Sequence, residues 1–182
     1  MKTKIYFLLV VFSAFLLFSC KIGCRKDPTY MTFYVNGEKF TAKGKKNCKG
    51  VHVIGSLTID ENNVIGTLSD DKHSLLLIAR TFDTNEAQFS LNIFIADSIQ
   101  TLHIGEYILH RYQEGKLISS MVFNYTQTFE SFDHSGTVTI TDMEELEDGH
   151  YRIDGRFEAL LVNEAGTDTL RITGGEFRTV TE

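Results

Sequence analysis

The stretch Tyr151-Arg152-Ile153-Asp154-Gly155-Arg156-Phe157-Glu158-Ala159-Leu160-Leu161 decides the fold. Tyr151, Ile153, Phe157, Ala159 and Leu161 fall on one side of an extended chain, and Arg152, Asp154, Arg156 and Glu158 fall on the other. Successive side chains of a strand point to opposite faces, so this alternation is that of a half-buried strand. Upstream, Val138 and Ile140 alternate with Thr137, Thr139 and Thr141, and an acidic turn from Glu144 to Gly149 joins the two strands. Downstream, Asn163 to Asp168 turns the chain into a last strand. There Leu170 and Ile172 point inward at even positions, yet Phe177 is odd. Gly174-Gly175 lies at this change of phase, so a β-bulge is expected there.

The rest of the chain reads alike. Met31 to Val35, Asn36-Gly37, and Glu38 to Ala42 form a hairpin, with Asn-Gly supplying the two positive-φ residues of a type I′ turn. Lys43 to Gly50 is a basic loop. Val51, Val53, Leu57 and Ile59 mark a strand that turns at Asp60 to Asn63 toward Val64-Ile65-Gly66-Thr67-Leu68. Leu75 to Ala79 is apolar on both faces and reads as a central strand, and Phe89, Leu91, Ile93 and Ile95 mark the next. Gly105–Tyr112 and Lys116–Thr128 read as a hairpin turning at Glu114-Gly115. About ten strands without an amphipathic helix predict an all-β fold, a single antiparallel β-sandwich or, alternatively, a closed β-barrel. A sandwich fills its interior with Leu75, Leu77, Phe89, Leu91, Ile93, Phe157 and Leu161, whereas a carrier barrel leaves a cavity.

The chain begins differently. Lys2 and Lys4 precede an uncharged apolar run from Ile5 to Phe18, the layout of a signal peptide and short for a membrane-spanning helix. The ending Leu17-Phe18-Ser19-Cys20 resembles the lipobox of bacterial lipoproteins, with Phe18 where a smaller residue is commoner. That resemblance implies cleavage before Cys20, a diacylglycerol thioether on its sulfur and an acylated amino group. Each buried CH₂ of the acyl chains contributes about 0.8 kcal/mol, so several chains give a stable anchor. The expected organisation is a leader over 1–19, a lipidated tether over 20–29 and an all-β domain over 30–182. Lys21 stands where an Asp can retain such proteins in the inner membrane, so the outer membrane is expected. No acidic run follows Cys20, which favours the periplasmic face over the cell surface.

Without the leader, 163 residues remain, enough for one cored domain, with 16 basic against 24 acidic side chains. This acidic balance disfavours nucleic-acid binding. Residues 20–49 carry eight basic and two acidic residues, and residues 50–182 carry eight basic and 22 acidic. The basic end is either an ordinary solvated surface or a collar facing anionic headgroups.

From Met31 to Val180 the order of short motifs resembles a family of lipid-anchored all-β lipoproteins of the Bacteroidota. The motifs are the hairpin Phe33 to Ala42, Ile104-Gly105-Glu106-Tyr107-Ile108-Leu109, Gly136 to Thr141, Ile153 to Phe157, and Ile172 to Phe177 with an extra residue at the double glycine. The resemblance implies fold and location, and it carries no catalytic residue to transfer.

No nucleophile elbow, H-E-x-x-H, Walker loop or C-x-x-C motif occurs. His103 and His110 are seven positions apart and would face opposite ways on one strand, so no metal site is assigned. Asp142, Glu144, Glu145, Glu147 and Asp148 form an acidic hairpin tip, a solvated turn or a weak cation site. Asp97-Ser98-Ile99 and Asp168-Thr169-Leu170 resemble an O-glycosylation signal of Bacteroidota secreted proteins, making Ser98 and Thr169 candidate acceptors or simply turn residues. No cofactor is expected, and the membrane is the one partner implied. The expected function is a non-enzymatic binding or envelope-structural module. The alternative is a lipocalin-like β-barrel carrier of an apolar ligand.

Acylation of Cys20 would leave Cys24 and Cys48 as a candidate disulfide in an oxidising compartment. An Asn36-Gly37 turn pairs Val35 with Glu38, so cross-strand partners sum to 73, and Cys24 with Cys48 sums to 72. Such neighbours reach the Cα separation of about 4.4–6.8 Å that a disulfide needs. The bridge would close a loop of roughly 25 residues and stabilise by about 3–4 kcal/mol in the chain-entropy model. Non-reducing mass spectrometry of the matured protein should find the two linked. Full alkylation of both thiols without reductant would rule the bridge out.

Overall fold

The computed structural model describes residues 29–44, 62–81, 89–111, 116 and 118–181, all within one compact unit. The ten strands are β1 (Tyr30–Val35), β2 (Glu38–Lys43), β3 (Asn62–Leu68), β4 (Ser74–Thr81), β5 (Ser90–Ala96), β6 (Gly105–Ile108), β7 (Ser120–Asn124), β8 (Thr128–Glu145), β9 (Tyr151–Asn163) and β10 (Thr169–Val180). All ladders are antiparallel and join one sheet in the order β2-β1-β10-β9-β8-β7-β5-β4-β3, with β6 also on β8. The all-β expectation holds. Of its two forms the barrel is the nearer, because one sheet curls until it is almost closed. The strand expected over Val51 to Ile59, the Glu114-Gly115 turn, the expected leader, residues 20–28 of the expected tether and all three cysteines lie outside the described residues.

The first hairpin forms as its turn dictates. Asn36 and Gly37 have φ of 49° and 90°, and Val35 pairs with Glu38. The expected bulge in β10 is also present. Three steps from Ile172 to Gly175 face two from Ala159 to Phe157, and Gly174 takes φ 57°. This extra residue returns the inward face to odd positions, which buries Phe177.

The bulge sits beside a reciprocal exchange. Gly175 pairs with Phe157, and Gly155 pairs with Phe177. A Cβ on Gly175 would fall 2.5 Å from the Phe157 ring, and one on Gly155 would fall 2.4 Å from the Phe177 ring. Each phenylalanine therefore lies over the bare backbone of the neighbouring strand. Two rings occupy inward space that four side chains would otherwise contest, and the sheet can bend sharply there.

Inside, rings from opposite sides of the sheet meet. Phe33 of β1 stacks on Phe40 of β2 at 5.5 Å and meets Phe89 and Phe123 edge-on at 5.5 and 5.9 Å. Phe157 approaches Phe33 at 6.0 Å. β10, β9 and β8 separate β1 from β7 along the sheet, so these contacts cross the interior. Leu75, Leu77, Leu91, Ile93 and Leu161 complete the core, as expected.

Closure is made at the β3–β4 end. Gly66 of β3 bridges Thr181 just past β10, and a Cβ there would lie 2.4 Å from Thr179 Oγ1. The β3–β4 turn adds Lys72, whose Nζ donates to Tyr151 Oη at 2.6 Å and lies 4.7 Å from that ring's centroid.

Two strand expectations need correction, and one stretch that the sequence left unassigned joins a strand. β6 and β7 do not form a hairpin: β6 pairs with β8, and β7 lies between β5 and β8. The cause is β8 itself, an 18-residue strand whose far half offers an edge that β7 does not reach. The segment before Gly136 belongs to β8, although it lacks clean alternation, because five steps from Ser131 to Gly136 face two from Leu161 to Ala159. β4 is not buried on both faces. It is next to the sheet's end, and Leu76 points outward at 36% exposure.

Phe157→Ala should cost about 3–5 kcal/mol. Gly155→Ala, which drives a methyl into both the Phe177 ring and the Thr139 carbonyl, should cost about 1–3 kcal/mol. Urea denaturation measures both, and losses below about 1 kcal/mol in each would refute the reciprocal packing.

Candidate functional site

Two polar constellations stand out on the outer surface, and each sits at a bulge. The first is a shallow groove of about 310 Å³ over the double glycine. Register builds it: Glu106 pairs with Thr139, Thr139 with Arg156, and Arg156 with Glu176. Thr137 and Glu158 form the adjoining row. Gly174 brings no side chain to this face, so the surface dips beside Arg156. Among the described residues the Arg156 side chain makes no hydrogen bond or ion pair, although Glu106, Glu158 and Glu176 line the same groove. The groove thus alternates uncommitted donors and acceptors, which suits a polar ligand carrying both.

The second constellation is at the bulge of β8. His134 adopts φ 59°, a left-handed conformation that histidine enters more readily than most residues. Its N–H donates to Leu109 O at 2.9 Å, and the His110 N–H donates to Ser119 O at 2.8 Å. These bonds bring the His110 and His134 rings to a centroid separation of 5.4 Å. Asp133 Oδ1 lies 3.3 Å from His110 Nδ1 and accepts the Arg111 N–H at 3.3 Å. The Arg111 N–H, and then the His110 ring, hold the Asp133 carboxyl below its usual range.

The acidic hairpin tip is partly committed. Arg152 Nη2 lies 3.2 Å from Asp142 and 2.6 Å from Glu144, and Arg178 grips Asp154 at 2.6 and 3.1 Å. Glu145 accepts from Tyr151 Oη at 2.6 Å. Asp142, Glu144 and Glu145 belong to β8, and only Glu147 and Asp148 lie in the turn.

The residues singled out by sequence are dispersed. Cys20, Cys24 and Cys48 lie outside the described residues. Ser98 is exposed in a bend where Asp97 Oδ1 accepts the N–H groups of Ile99 and Gln100 at 2.8 and 3.1 Å. Thr169 is exposed at the start of β10, where Asp168 Oδ1 accepts its N–H at 2.9 Å. His103 precedes β6 and His110 follows it, so the two do not share a strand. The His110–His134 pair escaped sequence reading because its members are 24 positions apart; the turn-like run Asp133-His134-Ser135-Gly136 inside a strand was the available signal.

In comparisons with known proteins, no family model, curated protein or solved structure matches this chain.

The Asp133 carboxyl carbon, followed by NMR, should titrate with a midpoint below the ordinary 3.8. Folding favours the carboxylate. Its stabilisation is therefore fully present above the unfolded-state pKa and fades as pH falls through the folded one. A midpoint at or above 3.8 would contradict the hydrogen bonds to Arg111 and His110.

Proposed function

We propose that this chain is an outer-membrane lipoprotein, anchored through acyl chains on Cys20, whose β domain is a non-enzymatic binding or envelope-structural module on the periplasmic side. The lipobox-like Leu17-Phe18-Ser19-Cys20 and the motif order of the Bacteroidota lipoprotein family support the anchor. The observation that carries the module reading is the phenylalanine cluster: Phe33, Phe40, Phe89 and Phe123 meet across the interior at centroid distances of 5.3–6.2 Å. With these rings in mutual contact, recognition falls to the outer face, and the groove beside Arg156 is the favoured surface. A Cys24–Cys48 bridge would gather basic residues next to the membrane. Ser98 and Thr169 are proposed O-glycosylation acceptors.

A lipocalin-like carrier of an apolar ligand is the second reading, favoured by the near closure of the sheet. In fractionated cells, Cys20→Ala should move the protein from membrane to soluble fractions, and full retention in the membrane would sink the anchor. A fluorescent fatty acid separates the two roles. Stoichiometric, saturable uptake by the purified protein would establish the carrier and displace the module.

A further inference from the structure

We propose that His110 and His134 form a two-imidazole site for a divalent late first-row transition-metal cation, with Asp133 orienting the His110 ring. The site stands independently of the anchor and of the groove.

The ring spacing is the first reason. Two imidazoles bound to one zinc at about 2.0–2.1 Å, at a tetrahedral angle, place their centroids about 5 Å apart. The observed separation is 5.4 Å, and the rings are inclined at 65° rather than stacked. The second reason is Asp133. A carboxylate on the far nitrogen of a ligating histidine fixes its tautomer and raises its basicity. Asp133 Oδ1 lies 3.3 Å from His110 Nδ1, which leaves Nε2 for the metal. The third reason is preorganisation. His134 N–H bonds to the carbonyl of Leu109, the residue before His110, so the backbone itself ties the two histidine segments together. Ser131 Oγ donates to His110 O at 2.5 Å and fixes the same corner from β8.

Among the described residues, no group of three or more His, Cys, Asp or Glu side chains is placed to hold a metal ion. Two protein ligands therefore carry the site, and water completes the coordination. Imidazole donors favour copper, zinc and nickel over magnesium or calcium, and copper(II) binds most tightly of these.

The test is calorimetric titration of Cu²⁺ into the full chain in detergent, with cysteines alkylated to silence thiol binding. One equivalent should bind, and His110→Gln should weaken it at least tenfold. His134→Asn should do the same while keeping a residue that tolerates the left-handed backbone. Asp133→Asn should weaken binding about tenfold, as expected for an orienting carboxylate. Paramagnetic broadening of amide signals should centre on residues flanking 110 and 134, a readout that a misfolded variant cannot imitate. Absence of binding by the wild-type chain would overturn the site. So would the same affinity and stoichiometry in the double variant, or broadening centred on another histidine.

Discussion

Phe33 is the contact on which the rest depends. Its ring touches Phe40 from its own hairpin, Phe89 and Phe123 from the far side of the sheet, and Phe157 between them. An open ten-stranded sheet would leave one apolar face exposed to water. Rolling it brings that face onto itself, and edge-on ring pairs add about 0.5–1.5 kcal/mol each beyond area burial. The near-barrel thus follows from a hydrophobic face that has no helix layer to cover it.

Rolling requires backbone relief, and the sequence supplies it on adjacent strands. Gly155 lies under Phe177 and Gly175 under Phe157, so the bend falls where β9 meets β10. The same bulge that restores Phe177 to the interior leaves Gly174 bare on the outside. The groove beside Arg156 is therefore a by-product of core packing. A second irregularity, in β8, lets one long strand take β7 along its first residues and β6 farther on. It also lifts Asp133 and His134 out of the ladder, beside His110. Both polar constellations sit where the sheet departs from regular geometry, as is common for sites on β scaffolds.

The charged outer face is more committed than its composition suggests. Arg152 and Arg178 draw Asp142, Glu144 and Asp154 into one cross-strand lattice, and the β3–β4 turn reaches Tyr151 through Lys72. Arg156 stands apart from this lattice.

The sequence by itself determined what local rules determine. Alternation identified the inward residues of β9, because a strand's period of two is visible in eleven residues. Asn36-Gly37 fixed the first turn through its positive φ, and the parity change between Ile172 and Phe177 located the bulge at Gly174. The expectation of a leader ending before Cys20 rests on contiguous signals too, and those residues lie outside the described ones. What only the tertiary structure decided is which strands are neighbours. β6 left its expected hairpin for β8, since pairing depends on which edges are free after the sheet has rolled, and no local pattern encodes that. Phe33 meets Phe123 across 90 positions of chain, and His110 meets His134 through a bulge without clean alternation. Distances of that kind exist only once the sheet has closed on its own apolar face.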